Sequence, residues 1–301
     1  MPTVPKQTLT FLMRRFKEVG IRPHSKYGQN FLIDLNLLHV LLESAALTPD
    51  DVVLEIGTGT GSLTSLIAQR AAAVVTVEVD RQMFQLASEE LEPFSNVTML
   101  QLDALKNKGT IAPAIMEAVA ETLGTASGRR LKLVANLPYN IATPLISNLL
   151  SEGITPQTMT VTIQKEVAER VVAVPGSKDY GAISIWVQAQ CRAEILRTLP
   201  PEAFWPRPKV SSAFLQVTLD ETLRSRIPDR PFFHEFIRAM FFHRRKYLRS
   251  ELLSVCKNRL DKPAVDAILE QQGLDGTLRA EQLSVDAMLA LCKAVQAALG
   301  T

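Results

Sequence analysis

The chain has 301 residues, 47% of them hydrophobic and 21% charged, with a formal net charge of +2 and a pI near 8.4. That length and apolar share suffice for a large core in one main domain with a smaller one attached, and the near-neutral balance excludes nucleic-acid binding through global charge, so local clusters must carry any such contact. No run approaches a membrane span, the first residues lack a long apolar stretch, and Cys191, Cys256 and Cys292 form no metal-ligand spacing and read as reduced, buried thiols of a cytosolic protein.

From the N-terminus, Lys6, Arg14, Arg15 and Lys17 precede the first acid, Glu18. With Arg22 and Lys26 they read as a basic arm for RNA, the alternative being an organelle transit peptide. Residues near 34 to 47 have helical spacing. The apolar run Asp51 to Ile56 then has strand character and enters a glycine turn at Gly57, Gly59 and Gly61, followed by helical spacing over Ser62 to Ala68. The glycines are spaced G-x-G-x-G, unlike the G-x-G-x-x-G of a dinucleotide site, so the turn points to close backbone approach to a nucleoside cofactor without a pyrophosphate cradle.

Two further strands end in acids. Ala73 to Val77 leads to Glu78, where a carboxylate can take two ribose hydroxyls, with Asp80 just beyond; Val97 to Leu102 leads to Asp103, placed to accept from an adenine amino group. Taken alone, each would read as a capping or solvated carboxylate, but a series at successive strand ends favours a nucleoside site.

Residues 107 to 128 contain a helical segment, and Leu131 to Ala135 form a buried strand that delivers Asn136-Leu137-Pro138-Tyr139. Adenine N6 is a poor nucleophile because its lone pair is delocalised into the ring. Two acceptors on its N–H bonds, the Asn136 side-chain carbonyl and the Leu137 backbone carbonyl, would favour pyramidal geometry and free the lone pair. Pro138 restricts Leu137 to extended geometry, and Tyr139 offers a face on which an extruded base can stack. Tetrad and glycine turn together predict methyl transfer to a base.

Downstream, Met159 to Gln164 reads as the fifth strand and Lys165 to Val174 as a helix. Ala182 to Gln190 is open between helix and strand, while Cys191 to Thr198 and Ser212 to Leu219 fit a terminal pair of strands. Between them, Phe204 and Trp205 stand beside Arg207 and Lys209, cations next to aromatic rings as in a surface that grips an unstacked base; core aromatics at a strand entry remain the alternative for Trp205. Pro228 to Pro231 marks a linker into helical patterns. A helix from about Pro231, with Phe233, Phe236, Ile237, Met240 and Phe241 on its apolar side, is expected to carry Arg244, Arg245, Lys246 and Arg249 as an RNA-binding cluster or a solvated face. The alternation predicts an α/β, Rossmann-like, doubly wound sheet over residues 1–220 and a small all-helical domain over 221–301 that contacts RNA or ribosome.

Several segments in order resemble the small-subunit ribosomal RNA adenine dimethyltransferases over nearly the full length. They are Lys26 to Leu32, the glycine turn, Val77 to Asp80, Leu102 to Ala104, Asn136 to Leu145, Gln164 to Arg170, Phe204 to Ser212 and Phe242 to Lys246. The resemblance implies a class I methyltransferase with a seven-stranded sheet closed by an antiparallel pair. It also implies S-adenosylmethionine as cofactor, N6-dimethylation of adenosines, two adjacent ones, in an immature small subunit, and a cytoplasmic monomer. It places Asn30 and Leu32 over the cofactor from the N-terminal side, Gly57 against its methionine part, Glu78 on the ribose, Asp103 on the adenine, and Asn136 at the sulfonium end and the target amine. Thr58 stands where proline is commoner and His243 where glutamine is commoner. Two alternatives stay open at this point: a large-subunit adenine methyltransferase of the antibiotic-resistance type, and a non-catalytic assembly or transcription factor that has kept the fold.

Overall fold

The computed structural model describes residues 9–18, 20, 28–107, 109–257 and 259–300; Lys6, Arg22 and Lys26 of the basic arm lie outside the described residues. Seven strands build the central sheet: β1 Asp51–Ile56, β2 Ala73–Glu78, β3 Val97–Gln101, β4 Arg130–Asn136, β5 Thr158–Gln164, β6 Cys191–Leu199 and β7 Ser212–Leu219. Their spatial order is β3-β2-β1-β4-β5-β7-β6. The first five are parallel, and β7 runs antiparallel to β5, with Ser212 opposite Gln164.

Position in the sheet explains strand composition. Every residue of central β1 is buried, as a parallel strand covered on both faces requires, whereas β6 at the edge is mostly exposed along its middle. The strand order reverses between β1 and β4. A crevice opens there beyond the carboxyl ends of the parallel strands, and the chain leaves β1, β2, β3 and β4 at that edge with Gly57, Glu78, Asp103 and Asn136.

Helices follow the strands with local caps. Asp80 accepts from the Gln82 and Met83 N–H groups at the start of the helix Arg81–Leu91, so this acid is a cap. Asp34 does the same for Leu35–Ser44, the helix expected near 34 to 47. Pro113 opens Pro113–Gly124, where its missing N–H costs nothing. Ala182–Gln188 resolves to helix.

The chain forms two compact units: one runs up to Ala168 and includes Glu194–Thr218, the other comprises Glu169–Ala193 with the residues from Leu219 onward. The second boundary lies close to the expected 220, but the division of 1–220 from 221–301 did not foresee that 169–193 packs with the C-terminal helices. The reason is Trp186, which is buried on Ala182–Gln188 and stacks on His234 at 4.4 Å beside Phe233 at 6.2 Å. Arg224 Nη1 also donates to Gln190 Oε1 at 3.0 Å, and the Asp220 N–H to the Gln190 carbonyl at 2.9 Å.

The basic cluster is also placed differently from expectation. The helix Arg230–Met240 ends before it, so Arg244, Arg245 and Lys246 lie on the turn that follows, and Arg249 belongs to the next helix, Leu248–Val255. Cys191, Cys256 and Cys292 are free and buried.

Candidate functional site

An open cleft lies at the carboxyl edge of the sheet and gathers Asn30, Gly57, Glu78, Asp103, Asn136 and Tyr139. Gly57, Gly59 and Gly61 all have φ in the left-handed region, at 89°, 57° and 79°. A Cβ on Gly57 would lie 3.3 Å from Pro138 Cδ, so the glycine lets the turn and the tetrad come together. The Gly57 N–H is tied to the Val77 carbonyl at 2.8 Å.

Glu78 is 6% exposed, and each of its oxygens accepts a backbone N–H: Oε2 from Gly59 and Oε1 from Asp80, both at 2.9 Å. The carboxylate thus braces the glycine turn while lining the cleft. Burial raises its pKa, and the hydrogen bonds from Asp80 and Gly59 pull the other way. Asp103 is exposed at the far side, where Oδ1 accepts from the Leu105 N–H at 3.0 Å.

The tetrad is held from three sides. The Leu137 N–H donates to the Thr162 carbonyl at 3.0 Å and the Ile141 N–H to that of Pro138 at 3.1 Å. Asn136 Nδ2 donates to the Asn30 carbonyl at 2.8 Å, and Asn30 Nδ2 to that of Gly28 at 3.1 Å. Only the amide nitrogen can face a carbonyl oxygen, so the contact fixes the Asn136 flip and leaves Oδ1 as an acceptor. Among the described residues neither Asn136 Oδ1 nor the Leu137 carbonyl receives a hydrogen bond. The Tyr139 hydroxyl shares a 2.5 Å hydrogen bond with Ser212 Oγ, and burial raises its pKa.

Two expected site residues are elsewhere. Leu32 is 8% exposed and belongs to the core; it alternates with Phe31, which lines the cleft instead. Phe204 is 2% exposed and packs in the same core, so it offers no face to RNA. Its neighbour Trp205 pairs across a short antiparallel ladder with Phe31 and joins an aromatic cluster with Phe16 and Phe31, at 5.4 and 6.4 Å between ring centroids. Arg207 is ion-paired with Glu202, and Lys209 is exposed.

In the helical unit, Arg244 pairs with Glu281 at 3.0 Å and donates to the carbonyls of Lys178 and Tyr180, while Arg249 grips Asp266 through two nitrogens. Arg245 has no ion-pair partner among the described residues, and Lys246 lies 3.9 Å from Glu251.

Sequence reasoning also missed a buried polar network under the turn. Glu55, 1% exposed, accepts from Thr64 Oγ1 at 2.5 Å and Thr76 Oγ1 at 2.7 Å, and Thr76 shares a 2.7 Å bond with Thr58. Burial pushes the Glu55 carboxyl up to about 8. The signal was an acid inside an otherwise apolar strand.

The family model of ribosomal RNA adenine dimethylase matches residues 20–297. A ribosomal RNA small subunit methyltransferase A from Lachnoclostridium phytofermentans is 38% identical over 94% of this chain and 93% of its own length, and one from Bacillus pumilus is 35% identical over 94% of each. The crystal structure of a dimethyladenosine transferase from Plasmodium falciparum shares the fold, with a TM-score of 0.69 and 24% identity over 85% of this chain and 94% of its own. A family match that takes in the turn, the acidic strand ends, the tetrad and the helical unit identifies this chain as a member of the ribosomal RNA adenine dimethylase family.

Proposed function

We propose that this protein transfers methyl groups from S-adenosylmethionine to N6 of two adjacent adenosines in the RNA of an immature small ribosomal subunit, dimethylating each, as a cytoplasmic monomer. The observation that carries this reading is the orientation of Asn136, whose Oδ1 and the neighbouring Leu137 carbonyl receive no hydrogen bond among the described residues, both residues lining the cleft. Two acceptors in this arrangement suit the two N–H bonds of one amino group.

The acceptors that line the cleft support S-adenosylmethionine as the cofactor. Glu78 and Asp103 keep acceptor capacity beyond their backbone partners, and Gly57 lines the same cleft without a side chain. Gly57 would meet the methionine part, Glu78 the ribose and Asp103 the adenine, with Asn30 and Phe31 on the N-terminal side. When bound, the cofactor supplies an electrophilic methyl group.

The chain's own residues then position the nucleophile. Asn136 Oδ1 and the Leu137 carbonyl hold the amine, and Tyr139 presents its ring to the extruded base. The nitrogen becomes acidic once methylated and can lose its proton to water, so no strong general base is required. Exposed Lys209, Arg245 and Lys246, with Arg207, Arg244 and Arg249 in their ion pairs, form the basic groups for RNA.

The test is methylation of small and large subunits purified from cells lacking the gene, followed by mass spectrometry of each RNA. Dimethyladenosine at two neighbouring positions is the expected product. Methylation confined to large-subunit RNA, or cofactor binding without methyl transfer, would replace this reading by one of its two rivals.

A further inference from the structure

Phe242 is 78% exposed and Tyr247 56%, although both belong to large apolar types that ordinarily pack inward. They bracket His243, Arg244, Arg245 and Lys246 on the turn between Arg230–Met240 and Leu248–Val255. Exposed rings at both ends of a cationic turn suit an unstacked base and its phosphates better than a duplex, whose bases are covered.

The turn also borders a groove. The groove lies between the two helices and is lined by Phe242, His243, Arg238, Ala239, Glu235 and Glu251 among others. Phe242 makes a perpendicular contact with the His243 ring, at 4.7 Å between centroids and 85° between planes. His243 is anchored in turn, its Nδ1 lying 3.2 Å from Oε1 of Glu251, which is 2% exposed. The aromatic platform is therefore held by the His243–Glu251 pair, and most of the Phe242 side chain stays exposed. Arg238 at the groove and Arg245 on the turn are exposed cations without an ion-pair partner among the described residues.

We propose that this groove on the helical unit is a second nucleotide subsite, separate from the cleft, which takes one unpaired nucleotide of the RNA. The base stacks on Phe242, and Arg238 and Arg245 meet the flanking phosphates. The inference rests on the RNA reading above and adds that this face selects an unpaired element rather than paired backbone. Glu235 and Glu251 also line the groove, so the charge that favours RNA over a protein partner is that of the rim, where Arg238, Arg245 and Lys246 are exposed.

The full-length protein is titrated with two RNAs of equal charge: a stem closed by a loop of uridines, which offers no adenosine to the cleft, and an uninterrupted duplex. Phe242→Ala should weaken loop binding by about 5- to 150-fold, the equivalent of one base–aromatic stack, and leave duplex binding unchanged. Phe242→Tyr should bind like the wild type. With 5-iodouridine in the loop, the crosslinked peptide should contain Phe242. If the wild type binds the loop and Phe242→Ala binds it equally well, or loses both RNAs alike, this subsite falls while the methyltransferase reading stands. A defect seen only with whole subunits would assign the face to a ribosomal protein and also overturn it. A wild type that binds neither RNA and does not methylate subunits would end both readings.

Discussion

Asn136 Nδ2 donates to the main-chain oxygen of Asn30 at 2.8 Å, across 106 positions of sequence. The contact ties the N-terminal segment to the tetrad and determines which atom of the amide faces the cleft. Loss of this side chain should therefore depress the rate constant for methyl transfer by roughly 10²- to 10³-fold, as for removal of one preorganised hydrogen-bonding group, with RNA affinity little changed. Asn136→Asp should fare no better, because its carboxylate faces the Asn30 carbonyl with no donor. Single-turnover methylation of immature small subunits measures both, and near-normal turnover by Asn136→Ala would remove the residue from the mechanism.

Glu78 and Asp103 should separate by experiment. Asp103→Ala removes an exposed acceptor that also takes the Leu105 N–H, and is expected to weaken cofactor binding by about 1.5 to 3 kcal/mol with a smaller loss of melting temperature than Glu78→Ala. Glu78→Ala also withdraws the acceptors of the Gly59 and Asp80 N–H groups, so it should lose affinity and thermal stability together. Calorimetry and melting curves read the two, and unchanged affinity in both variants would refute the cofactor assignment.

For Tyr139, the ring and the hydroxyl have different partners. Tyr139→Ala should cost about 1 to 3 kcal/mol of base stacking. From the sequence alone Tyr139→Phe would be mild throughout, but its hydroxyl meets buried Ser212. Tyr139→Phe should thus retain most base capture and lose about 1 kcal/mol of stability. A rate defect equal to that of Tyr139→Ala would give the hydroxyl a chemical role.

Glu55 predicts a pH dependence. Its carboxyl is raised in the fold from 4.5 to about 8, so the folded state holds its proton more tightly than the unfolded chain. The resulting stabilisation is complete below about pH 4.5 and is lost as pH rises through about 8. Melting temperature should fall across that window in the wild type and fall less in Glu55→Gln, which cannot ionise. Parallel curves would mean that Glu55 is ionised in the fold.

The basic residues should also divide. Arg245→Glu and Lys246→Glu are expected to weaken RNA binding and reduce its salt slope by about 0.7 to 0.9 for each phosphate that is no longer neutralised. Arg244→Ala, which breaks the bond to Glu281 and those to the Lys178 and Tyr180 carbonyls, should chiefly lower the stability of the helical unit. A salt slope unchanged by both reversals would exclude this face from the RNA interface.

Strand and turn signals made much of the site legible. The apolar run before Gly57, the acids at the ends of β2 and β3 and the tetrad after β4 are local features, and a doubly wound order suffices to bring them to one edge. Local pattern failed where the outcome depended on distant neighbours. Phe204 and Leu32 look like site residues in their motifs, yet each turns into the core because the Phe31–Trp205 pairing decides which face of the short ladder is inward. Phe242 and Tyr247 are apolar by type and exposed by position, because the Arg230–Met240 helix stops before the turn that carries them.

What the sequence determined by itself is the strands of the central sheet, the glycine turn and the chemistry of the tetrad, since these follow from side-chain period, backbone freedom and donor inventory within a few residues. Only the tertiary structure decided the Asn136 flip, the Tyr139–Ser212 bond, the recruitment of 169–193 by Trp186 and which cations remain unpaired. Each of these depends on atoms brought together from far apart in the chain, and no local periodicity encodes which oxygen or carboxylate will be the neighbour.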